Sequence, residues 1–210
     1  MEKKITFIST VHEDIGKCNS EELYKIIERL RPEIIFLEAL DDTYSKSQEI
    51  CFSSFGVYHN KLEISAIQRY SVKNSFEYVP VLDNELPNSF KRRCEIVSKN
   101  LEFQKLINHF NNLAELNGFK FLNSFESIEL QENLRKLENH ILNNFELEKT
   151  FITDINEYEN SMIRNIYSYC RSNNFKSAIF MCGVAHRKSI IEKIAKNFTP
   201  ENLNVNWVVY

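Results

Sequence analysis

Four residues of types that bind metals or carry protons stand at the ends of predicted strands in this sequence. His12, Glu38, Asp83 and His186 each follow or close a short apolar run of the kind that forms a buried strand. In open α/β sheets ligands bind beyond the carboxyl ends of the strands, so we expect these side chains to converge there. Two imidazoles with one or two carboxylates suit a first-row divalent cation, which lowers the pKa of a bound water or polarises a carbonyl. The residues therefore indicate hydrolase chemistry.

Ordinary structural roles compete with this interpretation. A polar residue often follows a strand because it caps the next helix, and Asp83 fits that description. Cys182 lies four residues before His186, an arrangement that allows a Cys–His nucleophile. A cysteine inside an apolar run is more often a small buried hydrophobe, so we predict that Cys182 is buried and dispensable. Arg164 falls on the polar face of a predicted helix, and periodicity alone makes it a solvated arginine.

The elements that must position these residues follow from the hydrophobic pattern. A first strand occupies the stretch from Lys4 towards His12, and the later strands are predicted over 33–39, 77–82, 176–182 and 204–210. Helices are predicted over 19–30, 61–73, 154–171 and from His186 to about 197. A strand, a helix and a strand within forty residues form a βαβ unit, which implies parallel strands and a right-handed crossover. Residues 41–60 are polar and irregular, and we predict a loop over the strand ends.

The pattern changes between residues 84 and 150. Apolar residues at helical spacing predict two long amphipathic helices, a hairpin broken near Asn117 and Gly118. We interpret this part as a helical insertion that covers the sheet or the substrate. The expected fold is a single α/β domain over residues 1–210, with a central, mostly parallel sheet flanked by helices and the insertion after the third strand.

Composition excludes several classes of protein. The formal net charge is −3, with 26 basic and 29 acidic residues and no long run of either sign. This pattern does not indicate a nucleic-acid or a membrane partner, and no apolar stretch resembles a membrane span or a signal peptide. The 5 cysteines form no C-x-x-C pair, which favours a reducing cytoplasm over a disulfide framework. A homo-oligomer is compatible with the sequence.

Four short motifs, in order along the chain, resemble a known superfamily. The strand ending in S-T-x-H at Ser9–His12 resembles the G-T-x-H opening of the TraB/TIKI proteins, with Ser9 in place of the usual glycine. The segment RPEIIFLEA, which contains Glu38, resembles their proline, apolar run and glutamate. NSMIRNI around Arg164 resembles their helical Arg-Asn motif, and Gly183–His186 resembles their second G-x-x-H. The segment that ends at Asp83 is similar to one in erythromycin-esterase-like and ChaN-like proteins.

The resemblance implies a site and a class of activity. Metal or catalytic positions would carry over to His12, Glu38, Arg164 and His186, with His12, Glu38 and His186 as ligands of a divalent ion such as Mn, Co or Zn. Family members include metal-dependent peptidases, macrolactone esterases and haem-binding lipoproteins. We therefore predict a metal-dependent hydrolase of an ester or amide, acting on a small molecule or a peptide. The alternative is a binding module for haem or another anionic ligand.

The remaining catalytic roles follow from this hypothesis. Arg164 would bind a substrate carboxylate or the developing oxyanion, because a guanidinium offers planar, paired donors. Glu13 and Asp83 are the candidates for the general base, and the sequence leaves the choice between them open.

Overall fold

The structure, a computed structural model, describes residues 2–40, 62–84, 88–143, 148–196 and 203–210. The loop predicted over residues 41–60 lies outside these ranges. The strands are β1 (Lys3–Thr10), β2 (Ile34–Leu40), β3 (Glu77–Leu82), β4 (Ser177–Gly183) and β5 (Val205–Val209). The helices are α1 (Ser20–Leu30), α2 (Leu62–Ser71), α3 (Asn88–Val97), α4 (Leu101–Asn117), α5 (Phe119–Leu122), α6 (Phe125–Leu142), α7 (Glu148–Ser172) and α8 (Arg187–Ala195).

The strands form one parallel sheet in the order β3-β2-β4-β1-β5, which confirms the predicted α/β fold. The strands β1 and β2 are consecutive in sequence but do not pair, because β4 lies between them. In the register Phe180 pairs with Phe7 on one side and with Phe36 on the other. The carboxyl end of β4 is therefore enclosed by the ends of β1 and β2, which places the residues after three strands side by side.

Strand side chains alternate between two hydrophobic cores on opposite faces of the sheet. The first face, covered by α1, α2, α4 and α5, buries Ile8, Ile35, Leu37, Ile179 and Met181. The second face, covered by α7 and α8, buries Ile5, Phe7, Phe36, Phe180 and Cys182. Nearly continuous apolar runs in the strands are what a sheet covered on both faces requires.

The insertion after β3 contains more helices than the sequence predicts. The predicted break at Gly118 is present, and this glycine adopts the positive φ of 63° that favours glycine. The first predicted helix is divided at Asn100, whose side chain caps α4 by accepting from the backbone of Glu102 and Phe103. The next helix, α7, begins at Glu148 rather than at residue 154, and in the sequence Phe151 and Ile152 continue the helical spacing of Ile155 and Tyr158 towards its start.

No helix in the described part of the chain is long and apolar enough to cross a membrane.

Candidate active site

Glu38 is the centre of the cluster at the carboxyl ends of β1, β2 and β4. It lies inside β2 on the α7 side of the sheet and is 7% exposed. Its Oε2 accepts a hydrogen bond of 2.6 Å from the backbone N–H of Gly183, and its Oε1 accepts one of 2.7 Å from the hydroxyl of Tyr158. The same Oε1 lies 3.6 Å from Nε2 of His186. Strand β4 and helix α7 thus fix both carboxylate oxygens of Glu38.

His186 is held between two buried carboxylates. It ends a single 3-10 turn (Val184–His186) that follows β4 and is 8% exposed. Its Nδ1 donates to Oε1 of Glu159 at 2.9 Å, while its Nε2 faces Glu38. Glu159 comes from α7, is 1% exposed and also accepts a hydrogen bond from Ser189. Lys193 lies 3.8 Å from the second oxygen of Glu159 and partly balances its charge.

His12 is supported in the same way, by a glutamate from the helices on the other face of the sheet. Its Nδ1 lies 3.2 Å from Oε1 of Glu63, which also accepts a 2.6 Å hydrogen bond from the hydroxyl of Thr10. Glu63 is 1% exposed in the first turn of α2, and the backbone N–H of Leu62 donates to the carbonyl of His12. The His12 side chain is 47% exposed, so it is the member of the cluster that solvent reaches.

The two histidines and Glu38 meet over Gly183. A Cβ atom built on Gly183 would lie 3.5 Å from both Nε2 of His12 and Oε2 of Glu38. Glu63 orients one imidazole from the α2 face, and Glu159 orients the other from the α7 face. The structure therefore brings His12, Glu38 and His186 together, each from a different strand, with the Nε2 side of both imidazoles turned towards one carboxylate.

The charges of the cluster shift the pKa values of its members. Burial by itself raises the pKa of Glu38, but the charges of His186 and His12, with the hydrogen bonds from Gly183 and Tyr158, outweigh it and lower the pKa. Burial lowers the pKa of His186, but the hydrogen bond to Glu159 and the charges of Glu38 and Glu159 raise it above its ordinary value. Burial and Glu38 raise the pKa of Tyr158, so its hydroxyl keeps its proton.

The contact between Nε2 of His186 and the carboxylate of Glu38 is stable only with a proton or a cation between them. With its Nδ1 proton directed at Glu159, a neutral His186 would turn its Nε2 lone pair towards a carboxylate. Two such acceptors repel each other unless a proton or a cation lies between them. The charge of Glu38 accordingly contributes to the raised pKa of His186, after the hydrogen bond to Glu159.

A divalent cation fits this site by donor type, and two of its three donors are suitably spaced. Ligands about 2.1 Å from a tetrahedral ion lie about 3.4 Å apart, close to the 3.6 Å between His186 Nε2 and Glu38 Oε1. Buried carboxylates on the Nδ1 atoms of His12 and His186 are the usual supports of ligating histidines. Within the described ranges, however, no three histidine, cysteine, aspartate or glutamate side chains already surround one ion position.

Asp83 and Arg164 pair with each other in a neighbouring cleft. Arg164 donates to Asp83 at 2.7 Å and to Glu157 at 3.2 Å, and its side chain is 55% exposed. Hydrogen bonds from Asn165 and then Arg164 lower the pKa of Asp83. The hydrogen bonds of Arg164 to Asp83 and Glu157 raise the pKa of Arg164. The cleft has a volume of about 180 Å³ and is also lined by Tyr158, whose hydroxyl binds Glu38. Tyr158 thus separates this acidic cleft from the cluster.

The other two predicted residues occupy different environments. Glu13 is exposed in the turn that follows β1, one residue beyond His12. Cys182 is fully buried, as predicted, and burial together with the charges of Glu38, Glu159 and Glu63 raises the pKa of its thiol well above the ordinary value. A thiolate at this position is therefore strongly disfavoured.

The sequence analysis missed Glu63 and Glu159, which hold the two imidazoles. Both carry a signal in the helical pattern. Glu63 interrupts an apolar segment in which Leu62, Ile64, Ala66 and Ile67 are all buried. Glu159 continues the buried stripe of Met162, Ile163, Ile166 and Cys170 at helical spacing. A carboxylate at a core position of a helix is a sign of a buried partner.

Comparisons with models of known families, with curated proteins and with solved structures found no match to this chain.

Proposed function

We propose that this chain is a hydrolase that cleaves an ester or an amide at the cluster of His12, Glu38 and His186. One observation carries the proposal: each imidazole is held at Nδ1 by a buried glutamate, and both Nε2 sides face a third buried carboxylate. Carboxylates at the second ring nitrogen are the usual supports of histidines that bind a metal. Paired groups with displaced pKa values in a cleft are typical of acid and base catalysis.

The two histidines differ in exposure but would serve the same cation. His12 is half-exposed, and with Nδ1 bound to Glu63 it would offer Nε2 to a divalent cation on the side that solvent reaches. His186 is buried, and with Nδ1 bound to Glu159 it would offer Nε2 to the same cation, which would replace the proton that its raised pKa favours. Glu38 fixes the position of His186 and keeps a negative charge beside both imidazoles. Glu13, exposed beside His12, and Asp83 are the candidate bases for the water.

A divalent cation, with Mn, Co and Zn as candidates, belongs to the same proposal. His186 and Glu38 would hold it, and His12 would complete the ligand set. Bound there, the cation supplies Lewis-acid polarisation of the substrate carbonyl. Glu63 and Glu159 would hold the Nδ1 atom of each imidazole, which fixes the tautomer and directs Nε2 at the ion.

The charge of the site favours hydrolysis over the binding of haem or another anion. Three carboxylates, Glu38, Glu63 and Glu159, are buried around the two histidines. The adjacent cleft adds Asp83, Asp154 and Glu157, with Arg164 already paired to two of them. An anionic ligand would have to approach this negative charge without a free cation among the described groups of the cleft.

The proposal is tested with the purified full chain and a panel of aryl esters, lactones and amino-acid amides. We expect hydrolysis of at least one class, loss of the activity with chelator and its return with Mn, Co or Zn. His12→Asn and His186→Asn should each abolish turnover, and His186→Asn should also reduce the metal content measured by mass spectrometry.

A matched control is His109→Asn, which replaces an exposed histidine of helix α4. This variant should retain full activity and metal content. A haem absorption band that requires His12 or His186, without hydrolysis of any substrate in the panel, would instead support the binding module.

A further inference from the structure

A second cleft, lined by none of the three buried carboxylates of the cluster, has the opposite charge. It lies between α1 and the turn joining α4 to α5, with a volume of about 450 Å³. Four basic side chains line it: Lys17, Lys25, Arg29 and Lys120. The one acidic residue of the lining, Glu22, forms an ion pair of 2.7 Å with Lys25. A chain with a net charge of −3 thus concentrates positive charge at one place.

Tyr210 holds Arg29 in place at one wall of the cleft. The guanidinium of Arg29 donates to the hydroxyl of Tyr210 and lies 5.7 Å from the centre of its ring. The backbone oxygen of Tyr210 in turn accepts a hydrogen bond of 3.0 Å from Arg187. Among the residues that the structure describes, Arg29 is therefore oriented by an aromatic ring and pairs with no carboxylate, so its charge is available to a ligand.

Arg187 is a buried arginine that contacts the cleft lining through Tyr210. It is 3% exposed, and the side chains that it contacts in the described part of the chain, Ser9, Asn123 and Phe7, are not carboxylates. Its Nε is buried without a hydrogen-bond partner among the described residues. Arg187 therefore places a buried positive charge next to Tyr210, a residue of the cleft lining.

The opposite wall depends on Gly118. Gly118 has a φ of 63°, and a Cβ atom there would lie 2.9 Å from the backbone oxygen of Lys17. This close approach places Lys17 next to the turn that carries Lys120. Two lysines from segments far apart in sequence therefore line the same wall of the cleft.

We propose that this cleft binds a small phosphorylated molecule. Lys17, Arg29 and Lys120 lie outside the Glu22–Lys25 pair, and three positive charges match a phosphate group better than a single carboxylate. Arginine and lysine are the usual partners of phosphate oxygens. Ile26 and Phe119, both almost fully buried, supply apolar lining for the remainder of the ligand. The volume is in the range of small-ligand pockets.

The test is isothermal titration calorimetry of the full chain in phosphate-free buffer, with AMP and inorganic pyrophosphate as probes. We expect AMP to bind with a Kd of about 1 mM or below, and Lys120→Glu to weaken it at least about tenfold. Lys105→Glu, at an exposed position of α4 outside the cleft, is the charge-matched control and should change the Kd less than about twofold. Circular dichroism checks that both variants are folded.

Each outcome has a defined meaning. Binding of both probes, or of AMP alone, with selective loss in Lys120→Glu supports the proposal. Binding of pyrophosphate alone supports a phosphate site but overturns the role of the apolar lining. Absence of heat with both probes, or equal weakening by Lys105→Glu and Lys120→Glu, overturns the proposal. The measurement does not depend on hydrolysis, so it is independent of the proposed activity.

Discussion

Glu159 accepts a hydrogen bond of 2.9 Å from Nδ1 of His186, although helix α7 carries it 27 residues earlier in the chain. The pair of Glu63 and His12 repeats this relationship from the opposite face of the sheet. In both pairs the buried carboxylate occupies one ring nitrogen and leaves the other directed towards Glu38. The two helices therefore determine which nitrogen of each imidazole serves the proposed chemistry.

Replacing either supporting glutamate should reduce activity while the protein stays folded. Glu159→Gln keeps the shape of the side chain but removes the charge that holds His186. We expect a loss of roughly 10- to 100-fold in kcat/KM, the size of effect seen when outer partners of ligating histidines are removed. The measurement is steady-state hydrolysis of the best substrate from the panel.

Glu126→Gln is the control for this substitution, because Glu126 is exposed in the first turn of α6. Equal activities of Glu159→Gln and wild type, with both proteins folded, would show that activity does not depend on the charge of Glu159 beside His186.

The hydrogen bonds that Asp83 accepts from Asn165 and Arg164 should make the stability of the protein depend on pH. The pKa of Asp83 in the folded protein is lowered from 3.8 by hydrogen bonds from Asn165 and Arg164. Because the pKa of Asp83 is lower in the folded than in the unfolded protein, the ionised Asp83 stabilises the fold at a pH above 3.8. This stabilisation is lost as the pH falls below 3.8. The contribution to the free energy of unfolding is small, because Asp83 and Arg164, the two partners of the ion pair, are both exposed.

Nuclear magnetic resonance of the Asp83 carboxyl carbon measures this pKa directly. We expect its midpoint below 3.8 in the wild type and closer to 3.8 in Asn165→Ala. A midpoint at or above 3.8 in the wild type would show that the two hydrogen bonds are not formed in solution.

Much of the fold follows from the sequence, because each strand is an apolar run that ends in polar residues. The pattern also places His12, Glu38 and His186 at strand ends, where a parallel sheet gathers them. It does not reveal that β4 inserts between β1 and β2, since strand order depends on the packing of helices distant in sequence. Glu63 and Glu159 were missed for a similar reason: their partners are identified by tertiary contacts and not by local spacing.

Cys182 should be dispensable for catalysis. It is fully buried and the neighbouring carboxylates oppose ionisation of its thiol. We expect Cys182→Ala to keep kcat/KM within a fewfold of the wild-type value, and we prefer alanine to serine because it adds no buried hydroxyl. Abolition of activity in a folded Cys182→Ala variant would support the Cys–His nucleophile instead.

Arg164→Lys separates a surface role from a role in substrate binding. The ion pairs of Arg164 are exposed, so the free energy of unfolding should change by less than about 1 kcal/mol in urea titrations. Lysine cannot donate to Asp83 and Glu157 with the same paired geometry, and the cleft beside Tyr158 should lose its shape. We therefore expect lower activity through a higher KM. Unchanged kcat and KM would make Arg164 an ordinary surface residue.

The most direct test of the proposed active site is the kcat/KM of Glu38→Gln on the best substrate of the panel. Glu38 contacts Gly183, Tyr158 and His186, and a glutamine of the same shape removes the charge between the imidazoles. Hydrolysis at this cluster predicts a loss of at least about 100-fold with the circular dichroism spectrum unchanged. A folded Glu38→Gln variant that retains wild-type kcat/KM would contradict it.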